Sequence, residues 1–147
     1  GENPSGAVDT GITTYKNPAM RASMPIVRPM SEAAETAVER SRGATIQVLI
    51  GPNEGAPRFF TRRFTIQPGG RIPEHRHAEI EHEQVVLEGE MVIGLGQEQH
   101  RVRAGDTIFI PAGVSHWYEN RSTVPIRFLC MVPRSDNYQT EWLEPPA

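Results

Sequence analysis

Short runs of β-forming residues, separated by glycine and proline, make up the chain from Thr45 onward. Turn-forming sequences lie between the runs, among them Pro68-Gly69-Gly70 and Pro111-Ala112-Gly113. Strands at such close and regular spacing are typical of a sandwich or barrel built from antiparallel hairpins. The predicted strands are residues 45–50, 59–67, 71–74, 84–87, 91–95, 100–102, 107–110, 116–119 and 126–132. The sequence therefore predicts an all-β fold.

Residues 1–44 have a different character, because four prolines interrupt them and no sustained apolar period appears. We expect them to form an irregular N-terminal arm. Within the arm, residues 31–40 place good helix formers behind Ser31, with Glu35 near the position that a capping box uses. This pattern predicts one short helix, which Gly43 would end.

The length and charge of the chain limit its partners. A chain of 147 residues with a net charge of −3 is enough for one domain with one core. Basic residues are spread without a run, which argues against nucleic-acid binding. No apolar stretch reaches the roughly twenty residues of a membrane helix, and no signal peptide is visible. We therefore expect a cytoplasmic protein whose partner is a small molecule.

Cys130 is the only cysteine in the chain. A single cysteine excludes an internal disulfide and a cysteine-only zinc cluster within one chain. The apolar run around it, residues 126–132, predicts a buried and inert thiol.

Four histidines have a spacing that can converge on one metal ion: His75, His77, His82 and His116. In an extended segment, residues two apart point to the same face, so His75 and His77 can reach one ion. His82 opens the next predicted strand, and His116 follows a turn. Imidazole is the commonest side chain offered to transition metals, so the pattern predicts a metal site. We assign His100, on a polar hairpin edge, to the surface.

Two motifs carry a family resemblance. Gly70, followed by His75-x-His77-x4-His82-x6-Gly89, resembles the first motif of the cupin superfamily, in which the third ligand position is usually Glu. Gly105-x5-Pro111-x-Gly113-x2-His116-x3-Asn120 resembles the second motif at every position. The resemblance covers about residues 59–132. It implies a double-stranded β-helix, or jelly-roll, barrel over residues 45–133, with a tail at residues 134–147.

Histidine occupies the family's glutamate position, and this departure implies a four-histidine site. It is similar to the sites of a minority of small single-domain cupins of the cupin 2 type, some of which bind manganese or copper. The implied cofactor is one divalent transition metal ion, with Mn, Fe or Cu favoured and Ni or Zn as alternatives. Glu81 and Glu83 flank His82, so a register shift of one residue would place a carboxylate in the third ligand position. The spacing to Gly89 favours His82 as the ligand.

Residues beyond the ligands are less constrained by the sequence. A ligating imidazole usually donates its other N–H to an acceptor, and five carboxylates lie nearby: Glu74, Glu79, Glu81, Glu83 and Glu88. Asn120 is expected to hold a turn. Arg62 and Arg71 are expected on the outer face of the barrel. The candidate substrate contacts are Phe60, Phe64, Gln84 and Phe109, and no catalytic residue is assigned beyond the ligands.

The resemblance favours an oxidoreductase of the dioxygenase type that acts on a small organic molecule. Four ligands on an ion that accepts six leave two positions for water, oxygen or substrate. The alternatives are a non-oxidative metal-dependent lyase, isomerase or decarboxylase, and a non-catalytic cupin that binds a small ligand.

The arm and the tail, which contains Trp142 and Leu143, offer more apolar extension than one small domain needs. We therefore expect a homodimer, formed by arm exchange or edge pairing.

Overall fold

A computed structural model describes residues 8–9, 12–13 and 23–147 of the chain. The strands are β1 (Val8–Asp9), β2 (Ile12–Thr13), β3 (Glu35–Ala37), β4 (Arg42–Ile50), β5 (Phe59–Arg76), β6 (His82–Glu88), β7 (Glu90–Leu95), β8 (Glu98–Arg103), β9 (Thr107–Ile110), β10 (His116–Glu119), β11 (Ile126–Pro133) and β12 (Glu141–Trp142). Two 3-10 turns occupy Met30–Glu32 and Pro52–Glu54. None of the helices in the described part of the chain has the length and apolar character to cross a membrane.

Ten of the described strands pair antiparallel in one curled sheet, and β1 and β2 form a separate two-stranded sheet. The main path of the larger sheet runs β8-β7-β10-β5-β11-β6-β9, with β4 and β12 also paired to β5. The 18-residue β5 is long enough to pair with β11 and β4 in its first half and with β10 and β12 in its second half. This architecture is that of a jelly-roll half-barrel, so the predicted fold class is confirmed.

The core lies on the concave side of the sheet. Along β11 every second side chain is buried, from Ile126 through Phe128 to Val132, as strand alternation requires. Phe128 stacks on Phe64 of β5, with ring centroids 5.1 Å apart. Burial of each such side chain contributes roughly 1.5–3 kcal/mol. Phe64 and, from β11, Cys130 also line the cavity described below.

The sequence predicted two strands, 59–67 and 71–74, where the structure has the single strand β5. The predicted turn at Pro68-Gly69-Gly70 is a bend within this strand, which Asn120 holds from the neighbouring segment. The Gly69 amide donates to the Asn120 carbonyl (2.8 Å), the Asn120 amide donates to Gly70 O (3.0 Å), and Asn120 Nδ2 donates to Ile66 O (2.9 Å). Asn120 also bonds Ser122 and the Val124 carbonyl, so its predicted structural role is confirmed.

The predicted helix at residues 31–40 is wrong. A 3-10 turn at Met30–Glu32 leads into strand β3, which pairs with β4 in the register Glu35↔Gln47. Gln47 Nε2 donates to Ala33 O at 2.9 Å and to Met30 O at 3.1 Å. Pairing with a sheet edge satisfies the backbone there, and this tertiary gain outweighs helix propensity. Residues 1–7, 10–11 and 14–22 of the predicted arm lie outside the described residues.

The C-terminal tail packs on its own barrel. Strand β12 pairs with β5 in the register Trp142↔His75, and the Leu143 amide donates to Glu74 O at 2.9 Å. Arg71, half-buried, forms an ion pair with Glu144 at 2.8 Å. The tail therefore contacts the strand that carries two of the predicted metal ligands. The homodimer stays a prediction.

Candidate metal centre

Three strands bring the four predicted histidines to one end of the barrel. His75 and His77 lie near the end of β5, His82 begins β6, and His116 begins β10. The β5–β10 register sets His116 directly opposite His75. All four side chains are 2–3% exposed. The sheet therefore buries four imidazoles that are up to 41 residues apart in the sequence (116 − 75).

Three of the four rings are close enough to share an ion. One ring nitrogen each from His75, His77 and His116 lies within 4.8 Å of the others. Two nitrogens on one ion at about 2.1 Å each are at most about 4.2 Å apart, so small side-chain adjustments suffice. The ring of His82 lies 5.1 Å from that of His77 and 5.2 Å from that of His116, centroid to centroid. Its nitrogens stand outside the three-nitrogen cluster.

Backbone carbonyls orient these three rings. The Nδ1 atoms of His75, His116 and His77 lie 2.7 Å from Pro73 O, 3.0 Å from Val114 O and 3.0 Å from Gln139 O, respectively. If each Nδ1–H donates to its carbonyl, each Nε2 carries the lone pair that a metal needs. The sequence offered five carboxylates as acceptors for these N–H groups, whereas the structure uses main-chain oxygens.

Burial keeps His82 and His116 neutral. Desolvation, together with the charges of Arg62, His77 and His75, lowers the pKa of His82 to about 2. Desolvation, followed by the charges of His75 and His82, also holds the pKa of His116 well below its usual value. A neutral imidazole is the form that binds metal ions. The electrostatics of the site therefore favour metal binding at neutral pH.

The histidines open onto a small cavity of about 20 Å³. Its other lining residues are Val38, Arg62, Phe64, Ile72, Gln84, Tyr118, Cys130 and Tyr138. On this lining, the buried atoms His82 Nδ1 and Gln84 Oε1 have no hydrogen-bond partner among the described residues. Buried polar atoms normally have partners, so such orphans indicate a missing ligand or ion. The three clustered nitrogens and these orphan atoms fit a divalent transition metal ion.

Several known proteins resemble this chain in sequence. The Cupin_2 family, described as a cupin domain, matches residues 62–132. The uncharacterized protein MJ1618 of Methanocaldococcus jannaschii is 32% identical over 69% of this chain and 83% of its own length. The chain belongs to the cupin superfamily. This cupin is also 27% identical to the tetracenomycin polyketide synthase protein TcmJ of Streptomyces glaucescens, over 74% of this chain and 76% of that protein.

A solved structure extends the comparison to three dimensions. The polyketide cyclase RemF from Streptomyces resistomycificus superimposes on this cupin with a TM-score of 0.76 and 29% identity, covering 82% of this chain and 87% of RemF. The alignment reaches beyond the matched family domain. The fold that carries the histidines is therefore shared with RemF.

The structure separates the four predicted substrate contacts into two groups. Phe64 and Gln84 line the cavity, whereas Phe60 is buried in the core outside the lining. Phe109 is 55% exposed, because alternation along β9 buries Ile108 and Ile110 in its place. Phe60 and Phe109 therefore do not line the cavity. His100 lies at the surface beside Glu98, as predicted.

Several cavity residues were missed or misplaced by sequence reasoning. Arg62 was expected on the outer face, yet it is 2% exposed and lines the cavity. Arg62 lies at an even-numbered position of β5, like Phe60, Phe64 and Ile66, which are all buried. Strand alternation could therefore have predicted that Arg62 also points inward. The thiol of Cys130 is buried as expected, but it faces polar partners. Tyr138 of the tail carried no motif, and its hydroxyl lies 3.4 Å from His77 Nε2.

The metal-free protein is expected to lose stability as the pH falls below about 6.5, the usual pKa of histidine. Below that pH the unfolded chain protonates His82 and His116, whereas the folded chain keeps both neutral. Their stabilising contribution is therefore complete above pH 6.5 and falls by about 1 kcal/mol per histidine for each pH unit below it. Urea unfolding with chelator at pH 7.5 and 5.5 measures the difference.

The matched variants for this prediction are His82→Gln and His100→Gln. We expect the first to weaken the pH dependence and the second, at an exposed position, to leave it unchanged. An unchanged slope in His82→Gln would contradict the prediction.

Proposed function

We propose that this cupin is a metal-dependent enzyme that performs non-oxidative, Lewis-acid chemistry on a small oxygen-bearing organic molecule. The observation that carries the proposal is the cluster of three imidazole nitrogens within 4.8 Å, buried at a cavity. His75, His77 and His116 would hold the ion, and His82 is the proposed fourth ligand. A divalent ion there would polarise a carbonyl or hydroxyl oxygen of the substrate.

The donor set suits this chemistry. Four neutral imidazoles cancel none of the positive charge of a divalent ion, whereas a glutamate in the usual third position would cancel one unit. The site therefore favours stabilisation of negative charge that develops on a substrate oxygen. High metal oxidation states, which anionic ligands support, are less favoured.

The polar side chains of the cavity would position the substrate. Gln84 Nε2 donates to the Tyr118 hydroxyl at 2.7 Å, which leaves Gln84 Oε1 available as an acceptor. Burial, followed by the charge of Cys130, raises the pKa of Tyr118, so its phenol stays protonated. Tyr138 packs on His77, with ring centroids 4.7 Å apart. These groups favour a compact substrate with hydrogen-bonding oxygens.

The similarity to TcmJ and RemF supports an enolisable carbonyl compound of the polyketide type as substrate. Such compounds cyclise or isomerise after a base, for which water is available, takes a proton from carbon, and a Lewis acid would stabilise the negative charge that develops on oxygen. The cavity, about 20 Å³, has room for little more than a water-sized group, so it favours a small fragment over a multi-ring product. Oxygen-dependent cleavage, the function that the sequence favoured, is the alternative that the same experiment detects.

The test combines metal analysis with assays of turnover and oxygen uptake. Protein purified without added metal is expected to contain about one divalent ion per chain. The metal-loaded protein should accelerate deuterium exchange at the central carbon of a small β-dicarbonyl, such as 2,4-pentanedione, without consuming oxygen. His82→Ala should lower both metal content and turnover. Oxygen uptake matched to product would replace the proposal with a dioxygenase, and binding without turnover would replace it with a ligand-binding cupin.

A further inference from the structure

Tyr138 brings a hydroxyl group from the C-terminal tail to the metal centre. Its side chain is half-buried and lines the cavity. The hydroxyl oxygen lies 3.4 Å from His77 Nε2, and the two rings pack with centroids 4.7 Å apart. The tail therefore places a polar group directly beside a nitrogen of the three-histidine cluster.

The chemistry of the neighbouring groups assigns the hydrogen atoms in this contact. His77 Nδ1 lies 3.0 Å from the carbonyl oxygen of Gln139, which can only accept, so Nδ1 carries the ring hydrogen and Nε2 the lone pair. The guanidinium of Arg62, which can only donate, is hydrogen-bonded to Tyr138. The phenol oxygen therefore accepts from Arg62, and the phenol O–H donates to His77 Nε2.

Coordination of a metal ion by His77 would release this O–H group. Coordination uses the same Nε2 lone pair to which the hydroxyl donates, so the two interactions exclude each other. A buried donor that loses its acceptor costs about 1–3 kcal/mol unless it finds another one. The cavity has room for little more than a water-sized group, so an oxygen atom that enters it has few neighbours. The hydroxyl of Tyr138 is one of them.

Arg62 strengthens the hydroxyl as a donor. Hydrogen bonds in a chain polarise one another, so a phenol oxygen that accepts from a cation donates more strongly through its own O–H. Arg62 is 2% exposed, so water screens its charge little. A polarised donor that is held at a site where negative charge develops on oxygen is the arrangement that stabilises oxyanions.

We propose that Tyr138 donates a hydrogen bond to the substrate oxygen on which negative charge develops, and is therefore a catalytic residue of this cupin. This inference rests on the proposed function, in which carbon loses a proton and charge develops on oxygen. Tyr138 acts as a hydrogen-bond donor and transfers no proton. It lies outside residues 62–132, so the tail supplies a group that the matched family domain lacks.

Ionisation of bound 2,4-pentanedione by the metal-loaded protein tests the inference, because the enolate is detected by its near-ultraviolet absorbance. Tyr138→Phe keeps the ring and removes only the hydroxyl. Its pH midpoint for enolate formation should be at least about one unit higher than that of the wild type, which is a tenfold weaker stabilisation. Deuterium exchange at saturating diketone should slow at least about tenfold. Metal affinity should be equal or higher, because the hydroxyl no longer competes for His77 Nε2.

Asn137→Ala is the matched control. It removes a polar side chain from the neighbouring position of the tail, where Asn137 Nδ2 donates to Glu79 Oε2 at 3.0 Å, away from the cavity lining. We expect the pH midpoint, the exchange rate and the metal affinity of this variant to equal those of the wild type. A shift shared by Asn137→Ala and Tyr138→Phe would assign the effect to the fold of the tail and overturn the inference.

The remaining outcomes separate the inference from the proposed function. Equal pH midpoints in wild type and Tyr138→Phe, at equal metal content, overturn the inference and leave the proposed function standing. A wild-type protein that takes up no metal, or that holds metal but neither ionises nor exchanges the diketone, overturns the proposed function and the inference with it. If Tyr138→Phe does not fold, Tyr138→Leu replaces it under the same criteria.

Discussion

A His77→Ala protein is expected to bind its divalent ion at least about 100-fold more weakly than the wild type and to lose measurable turnover. The substitution removes one of the three clustered ring nitrogens. Loss of a mere outer partner of a metal ligand already costs 10–100-fold in affinity, so loss of a ligand should cost more. Competition with a chromophoric chelator measures the affinity, and elemental analysis measures the bound metal.

His100→Ala is the matched control for His77→Ala. It removes the same side chain from the surface of β8, where His100 contacts Glu98 at 3.0 Å. Metal affinity should be unchanged in this variant. Equal metal binding by His77→Ala and wild type would overturn the placement of the metal centre.

Gly89→Ala is expected to destabilise the protein by about 2–5 kcal/mol, a large part of the 5–15 kcal/mol that typically holds a domain together. Gly89 lies between β6 and β7 with φ of +81°, where a Cβ costs about 1–2 kcal/mol. A Cβ there would also lie 2.5 Å from Pro125 O and 2.9 Å from Ile126 Cα. Both atoms belong to the backbone, so relief requires the turn to move, at a further cost of about 1–3 kcal/mol.

Gly69→Ala separates the two contributions. Gly69 has φ of +80°, but a Cβ there meets nothing within 4 Å. We expect it to cost only the conformational part, about 1–2 kcal/mol. Urea unfolding of both variants gives the difference. Equal decreases in the free energy of unfolding of the two variants would show that the contact with the Pro125–Ile126 backbone does not contribute to the cost. Because β6 carries His82, Gly89→Ala should also weaken metal binding.

The strand pattern was predictable because local rules set it. Residues 107–110 and 116–119 were predicted with the bounds that the structure has for β9 and β10. Alternation and turn residues act over a few positions, so one sequence suffices to find them. The prediction of a helix at residues 31–40 was wrong because helix propensity depends on local sequence. The segment instead pairs with the edge of β4, which is distant in the sequence and which no local rule reveals.

The histidines were predictable as a set, but their surroundings were not. Spacing alone selected His75, His77, His82 and His116, and all four are buried together. The acceptors of their N–H groups are backbone carbonyls, which no side-chain pattern reveals. One of these carbonyls belongs to Gln139, in a tail that lies outside the matched domain.

By itself, the sequence determined the all-β class, the strand pattern and the four histidines, because these depend on residue type and short-range spacing. Only the tertiary structure decided that Arg62 and His75 share one cavity. The two positions differ in parity along β5, so uninterrupted alternation would place them on opposite faces. From His116 to Tyr118 the partner strand β5 advances three residues, from His75 to Ile72, instead of two. This bulge reverses the parity of the strand and turns both side chains inward.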